Sequence, residues 1–476
     1  MPKRAFLPFL VMLALKVPAF AQQSAATNSN PRIFPVGTVV PKVVALGKPD
    51  QSYALYLPAS YSTAKRWPII YAFDPGANGS RPVELMKDAA ERYGYIVVGS
   101  NNSRNGSWKI ELEAAQAMSQ DTQERFSVDS RRIYMAGFSG GARVAARLAQ
   151  ICKCTAGVLL HGAGFQPEVS ASPDGRFGVF ATVGTLDFNY GEVVQLDDQL
   201  EKLGYAHFLR RFKGPHQWAP ESALDEALAW FRLQAMKNGQ EERDDSFVAA
   251  QAAREAQRAN ALDQSGDLYD AWKEYRQAAE MFAGLADNAA LRARAEALEK
   301  EKSVRDGARR EKREFDDQEQ LIHEIYARLS ALQEYQENGP EIRRIVRQDI
   351  VSLRERTERE KSPEKLRVLK RALAGVLGLA MDTGLARLDQ KDVHRALDYF
   401  ELACNADPDS VWALTELAIA KVAVGDRKGA LEALHHASAK TKNPEGFAAW
   451  LNEEPAFAKL RGSPEFTALL QPAPQH

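Results

Sequence analysis

Gly137-Phe138-Ser139-Gly140-Gly141 stands between the apolar run Arg132–Ala136 and a helical pattern that begins near Ala142. A serine framed by glycines at a strand-to-helix turn is the setting of a nucleophile. The tight turn lifts the hydroxyl above the sheet, and larger neighbours would strike the adjoining strand and helix. A serine hydroxyl is a weak nucleophile at neutral pH, so the chemistry needs a histidine base and a carboxylate to orient it. The same context predicts them downstream, acid first and histidine second. Asp187 lies in Gly184-Thr185-Leu186-Asp187-Phe188, directly after the run Gly178–Val183, and His216 lies in Lys213-Gly214-Pro215-His216-Gln217-Trp218, after His207–Phe212. Each falls in a loop at the C-terminal end of a strand, the edge where parallel α/β sheets bind ligands. The rivals are placed differently: Asp174 precedes its strand, His161 precedes the acid, and His207 begins the strand whose far end carries His216. The bland alternative for Asp187 is a turn or helix-capping carboxylate.

Acyl transfer also builds negative charge on a carbonyl oxygen, and two N–H donors must meet it. The backbone N–H of Gly140, which follows the serine at the start of a helix, is the first. The second is expected from the loop Asp74-Pro75-Gly76-Ala77-Asn78-Gly79, which follows the run Pro68–Phe73. Pro75 has no N–H, which leaves Gly76 or Ala77, with Gly76 preferred. Trp218, Trp108, Asn101 and Asn102 fall on loops expected to edge the pocket, and an aromatic rim suits aryl or sugar-linked esters.

The elements that must position these residues are legible from Pro31 to Gly239, where short apolar runs alternate with amphipathic stretches. Strands are predicted at Tyr53–Leu57, Pro68–Phe73, Tyr95–Gly99, Arg132–Ala136, Ala156–Leu160, Gly178–Val183 and His207–Phe212. Helices are predicted at Val83–Tyr93, Ile110–Phe126, Ala142–Gln150, Gly191–Leu203 and Ser222–Met236. Continuous apolar runs such as Ile69–Phe73 suit strands covered on both faces, so the fold class is α/β with a mainly parallel central sheet. Residues 50–235 resemble the α/β-hydrolase superfamily, nearest its polyhydroxybutyrate-depolymerase-like, feruloyl-esterase-like and esterase-D-like esterases. The shared features are the turn at Ser139, Asp187 in its Gly-x-x-Asp setting, and His216 with Trp218 two residues on. The resemblance implies Ser139 as nucleophile, His216 as base and Asp187 as acid in an acyl-enzyme mechanism without metal or cofactor. Many such esterases carry His-Gly where this chain has Asp74-Pro75, so the loop geometry departs from theirs. Little sequence remains for a large lid, and an open site follows as an expectation. A small-molecule or polymer ester is the expected substrate. A serine peptidase of the same fold and a non-catalytic binding scaffold are the alternatives.

After Gly239 the strand-like runs stop, and residues 240–476 read as an all-α domain. Ala396, Phe400 and Ala403 recur 34 positions on as Ala430, Leu434 and Ala437, which is a structural repeat. With Gly384 and Pro408 these residues resemble the tetratricopeptide family, most clearly over residues 377–444; Gly266-Asp267, Ala271, Tyr275 and Ala278 make a weaker match upstream. Glu299–Lys361 is charge-rich, broken at Asn338-Gly339-Pro340, and outside the repeat. Stacked helical repeats present extended surfaces, so a protein or peptide partner is expected there. The half before Gly239 is expected to fold and act without it.

Residues 1–21 have the form of a signal peptide: Lys3 and Arg4, an apolar run over Ala5–Leu15, and Ala19-Phe20-Ala21 as the cleavage site. Polar, aperiodic residues 22–30 read as a disordered leader. The protein is therefore expected to be secreted or periplasmic, without a stable membrane anchor. Its 476 residues exceed one ordinary core, and a formal net charge of −1 argues against nucleic acid as a partner. Of three cysteines, Cys152 and Cys154 are read as small apolar residues entering a strand rather than as a local bridge, and no metal site is expected.

Overall fold

The protein is described by a computed structural model covering residues 34–165, 177–334 and 339–471. The expected signal peptide, the leader and Asp174 lie outside those residues. Eight strands form one sheet: β1 (Val39–Ala45), β2 (Lys48–Tyr56), β3 (Trp67–Phe73), β4 (Ile96–Ser100), β5 (Val128–Phe138), β6 (Thr155–His161), β7 (Gly178–Gly184) and β8 (His207–Phe212). Their spatial order is β1-β2-β4-β3-β5-β6-β7-β8. The two β1 and β2 ladders are antiparallel and every later pairing is parallel, from Ile69 against Ile96 to Gly184 against Phe212.

All seven predicted strands are present. The unpredicted one, β1, is an edge strand that carries Pro41 and shifts register between Val40 and Val43, which breaks the alternation a strand reading relies on. The helices that follow the strands are α1 (Ser80–Tyr93), α2 (Trp108–Arg125), α3 (Gly140–Cys152), α4 (Tyr190–Lys202) and α5 (Glu221–Lys237). Successive strand residues face opposite sides. Ile70 and Ala72 of β3 join the apolar layer beneath α1 and α5, while Tyr71 between them bonds Thr122 of α2 on the other face at 2.9 Å. At the end of α3 a left-handed Lys153 (φ 52°) leaves the Cα atoms of Cys152 and Cys154 5.1 Å apart, and the two are joined as a disulfide. The reading of these cysteines as separate apolar residues is corrected accordingly.

The remainder is helical: α6 (Asp245–Ser265), α7 (Leu268–Phe282), α8 (Ala289–Glu299), α9 (Lys302–Glu334), α10 (Gly339–Arg359), α11 (Pro363–Asp389), α12 (Val393–Ala406), α13 (Val411–Ala423), α14 (Arg427–Lys440), α15 (Pro444–Glu453) and α16 (Pro464–Leu469). The repeat is visible as two helix pairs, α11–α12 and α13–α14. Ala396, Phe400, Ala403, Ala430, Leu434 and Ala437 are all fully buried at matching positions. Asp392 and Asp426 cap the second helix of each pair by accepting from the N–H of Arg395 and Gly429. No helix among the described residues is long and apolar enough to cross a membrane.

The helices do not stand apart from the sheet. Val248 of α6 and Met281 and Phe282 of α7 share a core with Leu224, Leu228 and Trp230 of α5. From Pro35 on, the chain is a single body of contacts. Two neighbouring arginines of β8 point to opposite faces, and both reach this half. Arg210 donates to Glu226 of α5 (2.5 Å), Glu255 of α6 (3.1 Å) and Glu274 of α7 (2.5 Å). Arg211 lies 3.8 Å from Glu311 of α9, which accepts from Tyr190 (2.5 Å) and Tyr269 (2.7 Å). Burial raises the Glu311 pKa, but Arg211, Lys273 and the two hydroxyls outweigh it and bring the carboxyl down to about 2. A chain ending at Gly239 would keep Glu226 and Tyr190 but lose Glu255, Glu274, Tyr269 and Glu311, which leaves both arginines with fewer partners than the whole chain gives them.

Removing one member of a buried ionic cluster strands the rest, at a typical cost of about 3–5 kcal/mol. Arg210→Ala should therefore lower the unfolding free energy by about that amount in urea titrations. Lys428→Ala, in an exposed pair with Glu432, should give no measurable change.

Candidate active site

β5 ends at Phe138, and the chain turns at Ser139 straight into α3. Ser139 has φ 53° and ψ −121°, a backbone conformation that costs an ordinary residue about 1–3 kcal/mol and persists only where the surroundings enforce it. Close packing enforces it here. A Cβ on Gly137 would come 2.0 Å from the Gly141 carbonyl oxygen, and a Cβ on Gly141 would come 2.1 Å from that of Phe73. The Ser139 N–H donates to the His161 carbonyl on β6 at 2.9 Å, which ties the turn to the neighbouring strand.

The loops after β7 and β8 bring the two expected partners to this turn. Ser139 Oγ lies 2.9 Å from His216 Nε2, and His216 Nδ1 lies 2.8 Å from Asp187 Oδ1. Asp187 is fully buried and also accepts the Asn189 N–H at 2.8 Å. A carboxylate only accepts, so Nδ1 carries the imidazole proton and Nε2 is left to accept from the serine hydroxyl. The loop closes over Gly162, whose left-handed φ of 61° and lack of a side chain leave room: a Cβ there would lie 2.8 Å from Asp187 Oδ2. Phe138 and Phe188 flank the imidazole, with ring centroids 4.6 and 4.2 Å away.

The rival histidines lie elsewhere. His207 sits beside Asp197, 3.4 Å away, at the start of β8. His161 is fully buried, its Nδ1 2.6 Å from Thr182 Oγ1 and its ring packed on Trp218. Burial pushes its pKa down to about 3.

Of the two expected oxyanion donors, Gly140 begins α3 immediately after Ser139. Gly76 requires correction: its N–H donates to Asp74 Oδ1 at 2.9 Å, and that of Ala77 to the Asp74 carbonyl at 3.1 Å, so the turn consumes both. The Asp74-Pro75 departure noted in the sequence is the cause, since a carboxylate at that point draws the loop's amides inward. Trp218 is corrected as well. It is 7% exposed and donates its indole N–H to Asp74 Oδ2 at 2.8 Å, so it braces the loop instead of lining the pocket. Trp108 opens α2 with its ring covered by Arg147 of α3, 3.9 Å from the centroid. Asn101 and Asn102 are engaged with Pro41, Ser52 and Asp50 at the β1–β2 edge.

The helical half also borders the site. A helix from the C-terminal half, α11, runs against the loop that holds Asp187: Arg371 Nε donates to the Thr185 carbonyl at 2.8 Å, and Gln318 of α9 donates to the Phe188 carbonyl at 2.7 Å. The available signal was a pair of glycines, Gly375 and Gly378, inside a helix, where each costs roughly 1 kcal/mol unless something packs closely against it. Phe188 packs against Gly378, and with Tyr326 and Ile322 of α9 against Gly375.

The fold is a mostly parallel eight-stranded α/β sheet followed by an all-helical region. No protein-family model matches the chain, and no curated protein matches it. Solved structures are similar in part. A substrate-bound, fluorophosphonate-binding serine hydrolase of Staphylococcus aureus aligns over 38% of this chain and 92% of its own, at 13% identity and a TM-score of 0.32. The S-formylglutathione hydrolase of the same organism aligns over 42% and 98%, at 12% identity and 0.34. A ferulic acid esterase aligns over 41% and 97%, at 18% identity and 0.35. At such identities and scores the likeness bears on neither site nor substrate.

A histidine held neutral by burial makes stability depend on pH with a definite sign. Between the ordinary value of 6.5 and about 3, the unfolded chain binds a proton at His161 that the folded chain refuses, so folding weakens as pH falls through that window. His161→Gln should narrow the difference in unfolding free energy between about pH 7 and about pH 4, measured by urea titration.

Proposed function

We propose that this protein is a serine hydrolase of carboxylic esters, with Ser139 as nucleophile, His216 as general base and then general acid, and Asp187 as the carboxylate that holds the imidazole. The observation that carries this reading is the unbroken line from Asp187 Oδ1 to His216 Nδ1 (2.8 Å) and from His216 Nε2 to Ser139 Oγ (2.9 Å), ending on a residue in a strained turn.

In the proposed sequence Ser139 Oγ attacks the ester carbon as its proton passes to His216 Nε2. The carbonyl π electrons move to oxygen, where the Gly140 N–H at the start of α3 meets them. Collapse of the tetrahedral species breaks the bond to the alkoxide, which takes the proton from His216. Water, activated by the same imidazole, then releases the acid and restores Ser139. Asp187 stays ionised and stabilises the imidazolium in both halves. Export to the periplasm or medium, and recruitment of a protein or peptide by the paired helices, complete the reading.

Turnover of a chromogenic ester by the full chain tests it. Ser139→Ala and His216→Ala should each lower kcat by roughly 10⁴–10⁶-fold, and Asp187→Asn by about 10⁴-fold, with KM little changed. Retained turnover in Ser139→Ala would remove the assignment. Faster cleavage of an aminoacyl amide than of the matched ester would place the enzyme among peptidases.

A further inference from the structure

On α11, Arg371, Gly375, Gly378 and Asp382 follow one another at spacings of four, three and four, which is one face of a helix. Arg371 and Gly378 are pressed onto the loop that carries Asp187, and Gly375 lies between that loop and Tyr326 and Ile322 of α9. Arg371 bonds the Thr185 carbonyl and stacks on Tyr190, 3.8 Å from the ring centroid. A Cβ on Gly375 would touch the Phe188 Cβ at 3.4 Å, and one on Gly378 the Phe188 ring at 3.3 Å. Phe188 in turn lies 4.2 Å from the His216 ring. Asp382 is the next residue of the stripe, about 6 Å further along the helix axis.

The Asp382 carboxylate is hydrogen-bonded to the side chain of Asn105 and feels the charge of His216 and Arg143. Asn105 itself lies against Gly140, where an added Cβ would fall 1.8 Å from its Oδ1. The Asp382 side chain is open to water, yet protein encloses it closely enough that burial raises its pKa against the opposing pull of His216, Asn105 and Arg143. Arg143 does not neutralise it as a contact pair. That guanidinium is committed to Glu192 through two bonds of 2.8 Å and to the Phe165 carbonyl at 3.2 Å. A carboxylate in this position opposes negative charge developing at the acyl centre and attracts a cation on the substrate.

We propose that Asp382, supplied by the helical half, is a specificity residue that favours esters carrying a positive charge on the part facing His216 and disfavours anionic ones. This rests on the serine-hydrolase reading above. It also assigns α11 a role as a wall of the substrate cleft.

The test compares the rates at which two organophosphonate probes of matched size, one neutral and one bearing a quaternary ammonium, label Ser139 in the full chain. The wild type should react faster with the cationic probe. Asp382→Asn should reduce the cationic-to-neutral ratio roughly tenfold, and Asp382→Lys should invert the preference. Circular dichroism and the urea midpoint verify that each variant is folded, and the cationic-to-neutral ratio cancels any change in rate common to both probes. An unchanged ratio, or an equal fall for both probes, overturns the role of Asp382 and leaves the serine-hydrolase reading standing. Failure of both probes to label Ser139 in the wild type overturns both.

Discussion

The turn at Ser139 is the constraint on which the rest depends. A non-glycine residue at φ 53° and ψ −121° relaxes unless its neighbours hold it. They do so by backbone contact: β5, α3 and β3 approach so closely that Gly137 and Gly141 have no room for a Cβ. The parallel ladder fixes this geometry, because Phe73 pairs with Gly137 and Phe138 with His161. The same ladder sets His161, whose carbonyl receives the Ser139 N–H and whose ring rests on Trp218. Trp218 then anchors Asp74 at the head of the loop after β3. One strained residue thus draws its support from four strand ends.

The second organising feature is electrostatic and joins the halves. Side chains at successive positions of β8 point to opposite faces, so Arg210 and Arg211 enter two separate buried clusters, one with α5, α6 and α7 and one with α7 and α9. Burying charge is unfavourable unless each group is met by opposite charge and hydrogen bonds. Such clusters reward one arrangement of the helices over near alternatives that would leave a carboxylate stranded. That arrangement in turn sets α11 against the loop of Asp187, so the helical half contributes to the surroundings of His216 as well as offering a surface of its own.

Local pattern carried far into the fold and stopped at long-range contact. Continuous apolar runs located seven strands within a few residues, and Ser139, Asp187 and His216 were legible because each lies at a strand's C-terminal edge. Strand β1 escaped through Pro41 and its register shift. The amides of Gly76 and Ala77 are taken up within the loop, the first by the Asp74 carboxylate and the second by the Asp74 main-chain carbonyl, and motif spacing does not report that competition. An aromatic on a loop reads as a pocket rim, but the Trp218 indole N–H donates to the buried Asp74 carboxylate. The cover that α11 places near the site comes from more than 180 residues beyond Asp187 in sequence, and only the glycines at Gly375 and Gly378 hinted at it.

In the proposed reaction the strained turn presents Ser139 Oγ to an acyl carbon with the Gly140 N–H behind the carbonyl oxygen. The most direct measurement is a crystal structure of the full chain inactivated with a neutral organophosphonate, which mimics the tetrahedral intermediate. Phosphorus should be bonded to Ser139 Oγ, and the phosphoryl oxygen should lie within about 2.7–3.1 Å of the Gly140 nitrogen. An adduct on another residue, or a phosphoryl oxygen turned away from α3, would contradict that reaction.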